Sequence, residues 1–332
     1  MTLIQTAIST IQNKQDLTIT TAEEVLTEIF SENVPQEDIT QLLSALYHKG
    51  ESVTEIIGFA KAMRAAMIKV DLPKPIIDNC GTGGTGKSRF NVSTSSSIVL
   101  GSMGIPVAKH GNRGSKAPNG SIDFVEALGI PIDLTPAQIQ TYFNKNNLCF
   151  LFARAHHSKM KAVLESRKQL PHRTIFNLLG PLCNPASVTH QLIGTPSLEI
   201  AKKLAEAIQS LGTQSTWIVV GGNDTDELSP THISQLFKIT PAGITQDIFN
   251  PKDIGITADD TQLTGSTSQE NAKKFIDLIQ NRQIENPIIQ HIALNVAAAI
   301  SVFNGTPIKI AYNDCLQHIQ EGRVDLEGLR RN

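Results

Sequence analysis

The densest chemistry in the sequence lies in Asp78-Asn79-Cys80-Gly81-Thr82-Gly83-Gly84-Thr85-Gly86-Lys87-Ser88. Glycines without a Cβ let backbone N–H groups crowd around an anion. The segment follows a short strand at Ile76-Ile77 and reads as a phosphate-binding loop. Two familiar patterns overlap in it. Gly81 with Gly86-Lys87-Ser88 fits the nucleotide pattern GxxxxGK[ST], and Gly81, Gly83 and Gly86 fit the dinucleotide pattern GxGxxG. The first requires a helix opening at the Lys-Ser pair and a later acid for Mg2+. Here the first helix-capping residues are Asn91 or Ser93, and Ile218-Val219-Val220 runs into Gly221-Gly222. The second requires a carboxylate about 20 residues on, where Ile105, Pro106, Val107 and Lys109 stand. A plain turn is the remaining alternative, but a plain turn has no use for repeated glycines that each lose extra entropy on folding.

Other segments add to this loop. Lys109-His110-Gly111-Asn112-Arg113 follows a strand and gathers two cations, an imidazole and an amide on one loop. A lone histidine there would read as structural; the cluster reads as a site. Ser93 and Thr94 place hydroxyls at a helix N-terminus, where the dipole favours anions. Asp226-Glu227 follows the strand at 217–220. Such a pair is solvated loop charge when alone, but beside a phosphate site it suits Mg2+, which takes one or two carboxylates and completes its shell from phosphates and water.

Those residues need a scaffold. The first 70 residues read as antiparallel helices. Thr21-Ala22-Glu23-Glu24 and Ser52-Val53-Thr54-Glu55 fit the capping box, and Pro35 opens a helix with Ile39, Leu42, Leu43 and Leu46 at helical spacing. Leu72-Pro73-Lys74-Pro75 ends this region. Beyond it, short apolar runs at Ile105–Val107, Leu148–Phe152 and Trp217–Val220 alternate with helical patterns at 93–103, 121–128, 197–211 and 287–303. That alternation predicts an α/β sheet with crossover helices. The stretch 236–266 carries no clear period.

In chain order, the glycine segment, Asn91-Val92-Ser93-Thr94 and Lys109-His110-Gly111-Asn112-Arg113 resemble the anthranilate phosphoribosyltransferase family. So do Arg173-Thr174-Ile175-Phe176-Asn177-Leu178-Leu179-Gly180-Pro181-Leu182-Cys183-Asn184-Pro185, Asp226-Glu227-Leu228-Ser229, Gln269-Glu270-Asn271-Ala272 and Leu294-Asn295-Val296-Ala297-Ala298. The resemblance implies a nucleoside-phosphorylase class-II-like fold. A small helical domain (1–72), joined by a returning segment at about 160–190, would pack on a larger α/β domain (73–332) with a central mixed or parallel sheet flanked by helices. It also implies a homodimer through the helical domain, and transfer of the phosphoribosyl group of phosphoribosyl pyrophosphate to anthranilate with Mg2+, in tryptophan biosynthesis.

Carried over by position, Gly81, Thr82, Gly83, Gly84, Asn91, Ser93, Thr94 and Lys109 would hold phosphoribosyl pyrophosphate, and Lys116 would add a point charge where the family has a serine. Gly81, His110, Asn112, His157 and Arg167 would line the anthranilate site, and Ser93, Asp226 and Glu227 would face the metal. No side-chain nucleophile is implied. The chain departs from the family at Thr85, where Asp is usual, at Lys116-Ala117, where two serines are usual, and at Arg154, where Pro is usual. These departures bear on the acceptor, so a same-fold transferase or phosphorylase for another aromatic or nucleobase stands as an alternative.

Composition narrows the classes. Lys and Arg total 29 against 31 Asp and Glu, which disfavours a nucleic-acid-binding paralogue, since phosphate neutralisation needs an excess of cations. Cys80, Cys149, Cys183 and Cys315 form no CxxC pair and read as buried thiols of a reducing compartment. The first residues lack the basic and apolar regions of a signal peptide. No apolar run approaches the ~18 residues of a membrane span. A cytoplasmic location, with no membrane or nucleic-acid partner, is expected.

Overall fold

The N-terminal helices form where apolar side chains recur on one face and, in all but α3, a side chain closes the first turn. They are α1 (Leu3–Gln12), α2 (Ile19–Phe30), α3 (Gln36–Lys49) and α4 (Val53–Ala66). In the computed structural model, residues 1–83, 90–114, 119–223, 225–256, 258 and 263–330 are described. Gly84, Thr85, Lys87, Ser88, Lys116 and Ala117 therefore lie outside the described residues. The Ser52 capping box forms: Ser52 N–H donates to Glu55 Oε2 at 2.8 Å and Glu55 N–H to Ser52 Oγ at 3.3 Å. The Thr21 box does not. Thr18 caps α2 instead, accepting from Thr21 N–H at 3.1 Å, so Thr21 already lies inside the first turn. Pro35 precedes α3 as expected, and Ile39, Leu42, Leu43 and Leu46 are buried.

The remaining helices are α5 (Val92–Ser102), α6 (Ser121–Ala127), α7 (Pro136–Asn146), α8 (Ala153–His156), α9 (Lys161–Gln169), α10 (Phe176–Leu179), α11 (Leu198–Leu211), α12 (Ser268–Gln280), α13 (Pro287–Asn304), α14 (Ile308–Gln320) and α15 (Leu326–Arg330). The segment carrying α9 and α10 returns to the bundle. Gln36 Nε2 donates to Ala162 O at 2.9 Å, Arg64 Nε donates to Leu182 O at 2.7 Å, and Ile175, Phe176, Leu178, Leu179 and Leu182 share one apolar core with α1 to α4.

Among the described residues one sheet has the order β3-β2-β1-β4-β5-β6-β7. Its strands are β1 (Ile77–Gly81), β2 (Val107–Gly111), β3 (Leu148–Phe152), β4 (His190–Gly194), β5 (Ser215–Val220), β6 (Ser234–Thr240) and β7 (Gly243–Phe249). The pairs from β3 to β5 are parallel, and β6 and β7 are antiparallel. The last two strands occupy the stretch that shows no period in sequence, because β7 is an edge strand whose central residues are exposed.

Two strands extend further than their apolar runs predict. β2 begins at Val107, where Ile105 was expected to start it, and runs through Lys109 and His110 to Gly111, paired with β3 from Val107↔Leu148 to Gly111↔Phe152. Lys109 and His110 are thus strand residues and not loop residues. β1 likewise carries Asp78 and Asn79 inside the sheet. Polar residues persist in these strands because each finds a buried partner, described below.

α13 also departs from the sequence expectation. It is 18 residues long with mean hydropathy 1.3, enough by length and composition to cross a membrane, but 78% of it is buried inside the protein. It packs against α5, α14 and β4 as a core helix.

Candidate active site

β1 lies between β2 and β4. In a parallel sheet the crevice beyond the carboxyl ends of two such strands, where the chain leaves in opposite directions, is the usual ligand site. Gly81 and Gly194 end β1 and β4 in register, and Thr82 N–H donates to Gly194 O at 2.9 Å. The acid loop after β5 lies directly over them. A methyl group on Gly81 would come within 2.7 Å of Asp226 Oδ2, and one on Gly194 would collide with the Asp226 carbonyl. Gly194 therefore needs glycine, because backbone stands in the way, whereas at Gly81 the obstacle is the tip of a side chain. At Gly83 the reason is different, its φ of +67°. The structure thus brings the glycine segment and the acid pair together, although 145 residues separate Gly81 from Asp226.

Lys109 sits beneath this junction. It is 2% exposed, and its Nζ donates to Asn79 O and approaches Ser93 Oγ at 3.4 Å. Burial pushes its pKa down, while Asp78, Cys80, Glu227 and Asp226 pull it up. Asp78 is fully buried beside it. Burial raises this carboxyl's pKa against Lys109, the Asn184 amide at 2.8 Å and the His110 N–H at 3.3 Å. Asn184 also donates to Ala108 O at 2.8 Å, tying the returning segment to β2.

Asn91 is the N-cap of α5 but its side chain does not cap. It donates to Asn119 O at 3.3 Å and accepts from Asn271 Nδ2 at 2.9 Å. Ser93 and Thr94 lie in the first turn of α5, Ser93 half-buried and Thr94 buried. The donor set at this end is carboxylate and hydroxyl oxygen. Among the described residues no three His, Cys, Asp or Glu gather as a cage. Hard oxygen donors in that number fit Mg2+ shared with a ligand's phosphates.

A second set of polar residues lies in or against the returning segment. His110 and His157 lie with ring centroids 5.1 Å apart, both buried. His110 Nδ1 is 3.1 Å from Gly180 O, and the Nε2 atoms of both rings are buried without a partner among the described residues. Burial lowers the His110 pKa to about 3, helped by His157, His156 and Lys109 and opposed by the Gly180 carbonyl. Burial lowers that of His157 to about 4. Arg167, on α9, is half-buried with its guanidinium 5.5 Å from the Phe176 ring centroid. No carboxylate among the described residues pairs with it. Asn112 is exposed beyond β2, where its Oδ1 accepts from Arg113 N–H at 2.9 Å.

Arg113 does not join the positive cluster that its sequence position suggests. Its fork is held by Glu126 and Asp123, and it stacks over Phe152. Nothing local in the sequence marks Asp78, Asn184, Asn271, His291 or Asn295 for a role. Each lies in a stretch quoted above or beside one, but what makes it matter is a contact distant in sequence. The four cysteines are buried and free, with burial raising every thiol pKa.

Residues 5–67 match the glycosyl transferase family's helical bundle domain and residues 73–324 its a/b domain. The chain is 40% identical over 281 residues to an anthranilate phosphoribosyltransferase of Halalkalibacterium halodurans, covering 84% of this chain and 82% of that one. It is 36% identical to that of Pelagibacter ubique, covering 96% of each. Among solved structures, anthranilate phosphoribosyltransferase from Thermus thermophilus matches with a TM-score of 0.89 at 30% identity, covering 98% of this chain and 99% of that one. The Saccharomyces cerevisiae protein in complex with phosphoribosyl pyrophosphate and Mg matches with a TM-score of 0.89 at 26% identity, covering 98% and 95%. With both domains matched and this identity over most of its length, the chain belongs to the anthranilate phosphoribosyltransferase family of glycosyl transferases.

Proposed function

We infer that the protein transfers the phosphoribosyl group of phosphoribosyl pyrophosphate to the amine of anthranilate and releases pyrophosphate, as in tryptophan biosynthesis. The observation that carries this reading is the junction at the strand ends, where the glycine segment and the acid loop meet over Lys109. It presents Lys109, Ser93 and the α5 N-terminus beside Asp226 and Glu227. Arg167, on α9, adds a half-buried guanidinium that no carboxylate among the described residues pairs.

As the bond from ribose C1 to pyrophosphate breaks, positive charge grows on the ribose and negative charge on the departing oxygen. Donors already fixed in place stabilise such charge without reorganising. The backbone at Gly81, Thr82 and Gly83, the Asn91 and Thr94 side chains, and Lys109 would hold the phosphates; Gly84 would join them by its family position, and Lys116 would add a charge in place of the usual serine. Ser93, Asp226 and Glu227 would hold Mg2+, which supplies charge neutralisation to the leaving group when bound. Arg167 would pair the anthranilate carboxylate through its planar fork, with Gly81, His110, Asn112 and His157 lining that ligand. Both imidazoles are neutral near pH 7, which suits an apolar ring better than a charged pair would. Positioning of the aromatic amine supplies the rest, so no residue need act as nucleophile.

We also propose the division into a helical domain at 1–72 and an α/β domain at 73–332, assembly as a homodimer through the helical domain, and a cytoplasmic setting, which the four free buried thiols favour. The test is direct. Protein, Mg2+ and phosphoribosyl pyrophosphate should extinguish anthranilate fluorescence. No loss at high protein concentration overturns the assignment, and loss of another aromatic amine in its place would reassign the acceptor.

A further inference from the structure

The loop bearing Asp226 and Glu227 is gripped from α13, a helix to which the reaction gives no part. Asn295 lies in the middle of that helix and is 3% exposed. Its side-chain amide meets the backbone of Leu228 at both ends. Oδ1 accepts from Leu228 N–H at 3.0 Å, and Nδ2 donates to Leu228 O at 3.1 Å. Nδ2 also donates to His291 O at 3.0 Å, one turn back along α13. Both amide hydrogens and the amide oxygen are thereby used.

Asparagine is a poor residue for a helix interior, and a buried amide costs free energy unless every group is bonded. An apolar residue would suit α13 better, were it not for Leu228, which is itself fully buried in a loop whose backbone needs partners. The same helix reaches the acid next to Leu228, with His291 Nε2 3.5 Å from Glu227 Oε2.

We propose that Asn295 is a positioning residue for divalent-cation binding: it clamps Leu228 so that Asp226 and Glu227 face the strand ends before any ligand arrives. This rests on the reading of those two acids as the cation-facing pair. Asn295 itself touches no ligand. Hydrogen bonds one layer behind a metal ligand fix its direction, and their loss typically weakens metal binding about 10- to 100-fold.

Two variants separate the clamp from its side effects. Asn295→Leu removes every bond while filling the space, and Asn295→Ala removes them and leaves a cavity. Ser301→Ala is the control on the same helix; it deletes bonds to Ala297 O at 2.9 Å and Thr306 O at 2.6 Å, away from the loop. Two readouts are needed. The first is amide hydrogen exchange at 225–229 in cation-free protein. The second is Mn2+ binding in the presence of phosphoribosyl pyrophosphate, followed by electron paramagnetic resonance.

Both Asn295 variants should exchange faster at 225–229 and bind Mn2+ about tenfold or more weakly, while Ser301→Ala does neither. Unchanged Mn2+ affinity, or faster exchange spread evenly over α13 and α5, overturns the proposal. Should Asn295→Leu fail to fold, Asn295→Ala carries the same test. If the unaltered protein binds no Mn2+ alongside phosphoribosyl pyrophosphate, the reading of Asp226 and Glu227 falls and the proposal falls with it.

Discussion

Polar groups at the strand ends and polar groups against the returning segment are treated in opposite ways. At the strand ends they hold one another: Lys109 with Asn79 and Ser93, and Asp78 with Asn184 and the His110 N–H. Against the returning segment, the Nε2 atoms of His110 and His157 are buried with no partner among the described residues, and the half-buried Arg167 guanidinium rests on Phe176. Leaving a buried polar atom unpaired costs about 1–3 kcal/mol, and native proteins tolerate that where a ligand completes the set. On the proposed function, the groups that would hold the phosphates are thus already tied to one another before a ligand arrives. On the proposed function, anthranilate would pair the groups that the protein leaves unpaired. Backbone shifts should then damage the first set most, and the loss of a single side chain should damage the second.

Glycine substitutions give the largest expected effect. A methyl group on Gly194 meets the backbone of Asp226, which cannot yield without moving the acid loop. Misplacement of this kind costs about 10²-fold in rate, so Gly194→Ala should lower kcat/KM by about that factor or more. A methyl group on Gly81 meets only the tip of the Asp226 side chain, which can rotate. Gly81→Ala should cost about tenfold, on the smaller displacement. Steady-state kinetics of the two variants side by side check the order. Equal losses would mean that the loop is not held by its backbone.

In the second set, Arg167→Ala should raise the anthranilate KM by about 10- to 100-fold, the worth of a charge-assisted hydrogen-bonded pair. The KM for phosphoribosyl pyrophosphate should change by less than about twofold, since the guanidinium rests on Phe176 and not on the strand ends. A parallel rise in both constants would dissolve the distinction between the two sets.

The histidines sharpen the comparison through pH. Their folded pKa values, about 3 for His110 and about 4 for His157, lie below the ordinary 6.5. Between those limits the unfolded chain binds protons that the folded chain does not. Each group's stabilising contribution is therefore whole above pH 6.5 and is lost as pH falls towards its folded pKa, at about 1.4 kcal/mol per pH unit for each histidine. His110 faces His157, His156 and Lys109, all of which oppose its protonation. Denaturant titrations from pH 7 to pH 4.5 should show this loss, and His157→Asn should flatten it by about one proton's slope. An unchanged slope would place the His157 ring in water.

How much of this was legible in the sequence follows the range of the interactions. The helix at 36–49, the capping box at Ser52 and the strand at Leu148–Phe152 were legible because apolar spacing and caps act within a few residues. The polar ends of β1 and β2 were not, because Asp78 and Lys109 are stable in a sheet only through partners distant in sequence. The same holds for the site. Gly81 was legible as a loop glycine, but its closeness to the Asp226 carboxylate came only from the fold. Asn295 stood in a quoted stretch with no visible task until Leu228 lay against it.

Arg113 supplies the smallest expected effect and tests where the positive potential ends. By position it belongs with the phosphate-holding set, four residues beyond Lys109. By contact it does not, since Nη2 donates to Glu126 Oε1 at 2.7 Å and Nη1 lies 3.5 Å from Asp123 Oδ1. Its pKa is raised first by the Glu126 hydrogen bond, so its charge is spent on its neighbours. The pair is open to water, where such ion pairs contribute about 1 kcal/mol or less. Arg113→Gln should therefore lower stability by no more than that, read from denaturant unfolding, and leave the KM for phosphoribosyl pyrophosphate within about twofold. A tenfold rise in that KM would move Arg113 into the phosphate site, and the phosphate-holding set would then extend past β2 into the loop that follows it.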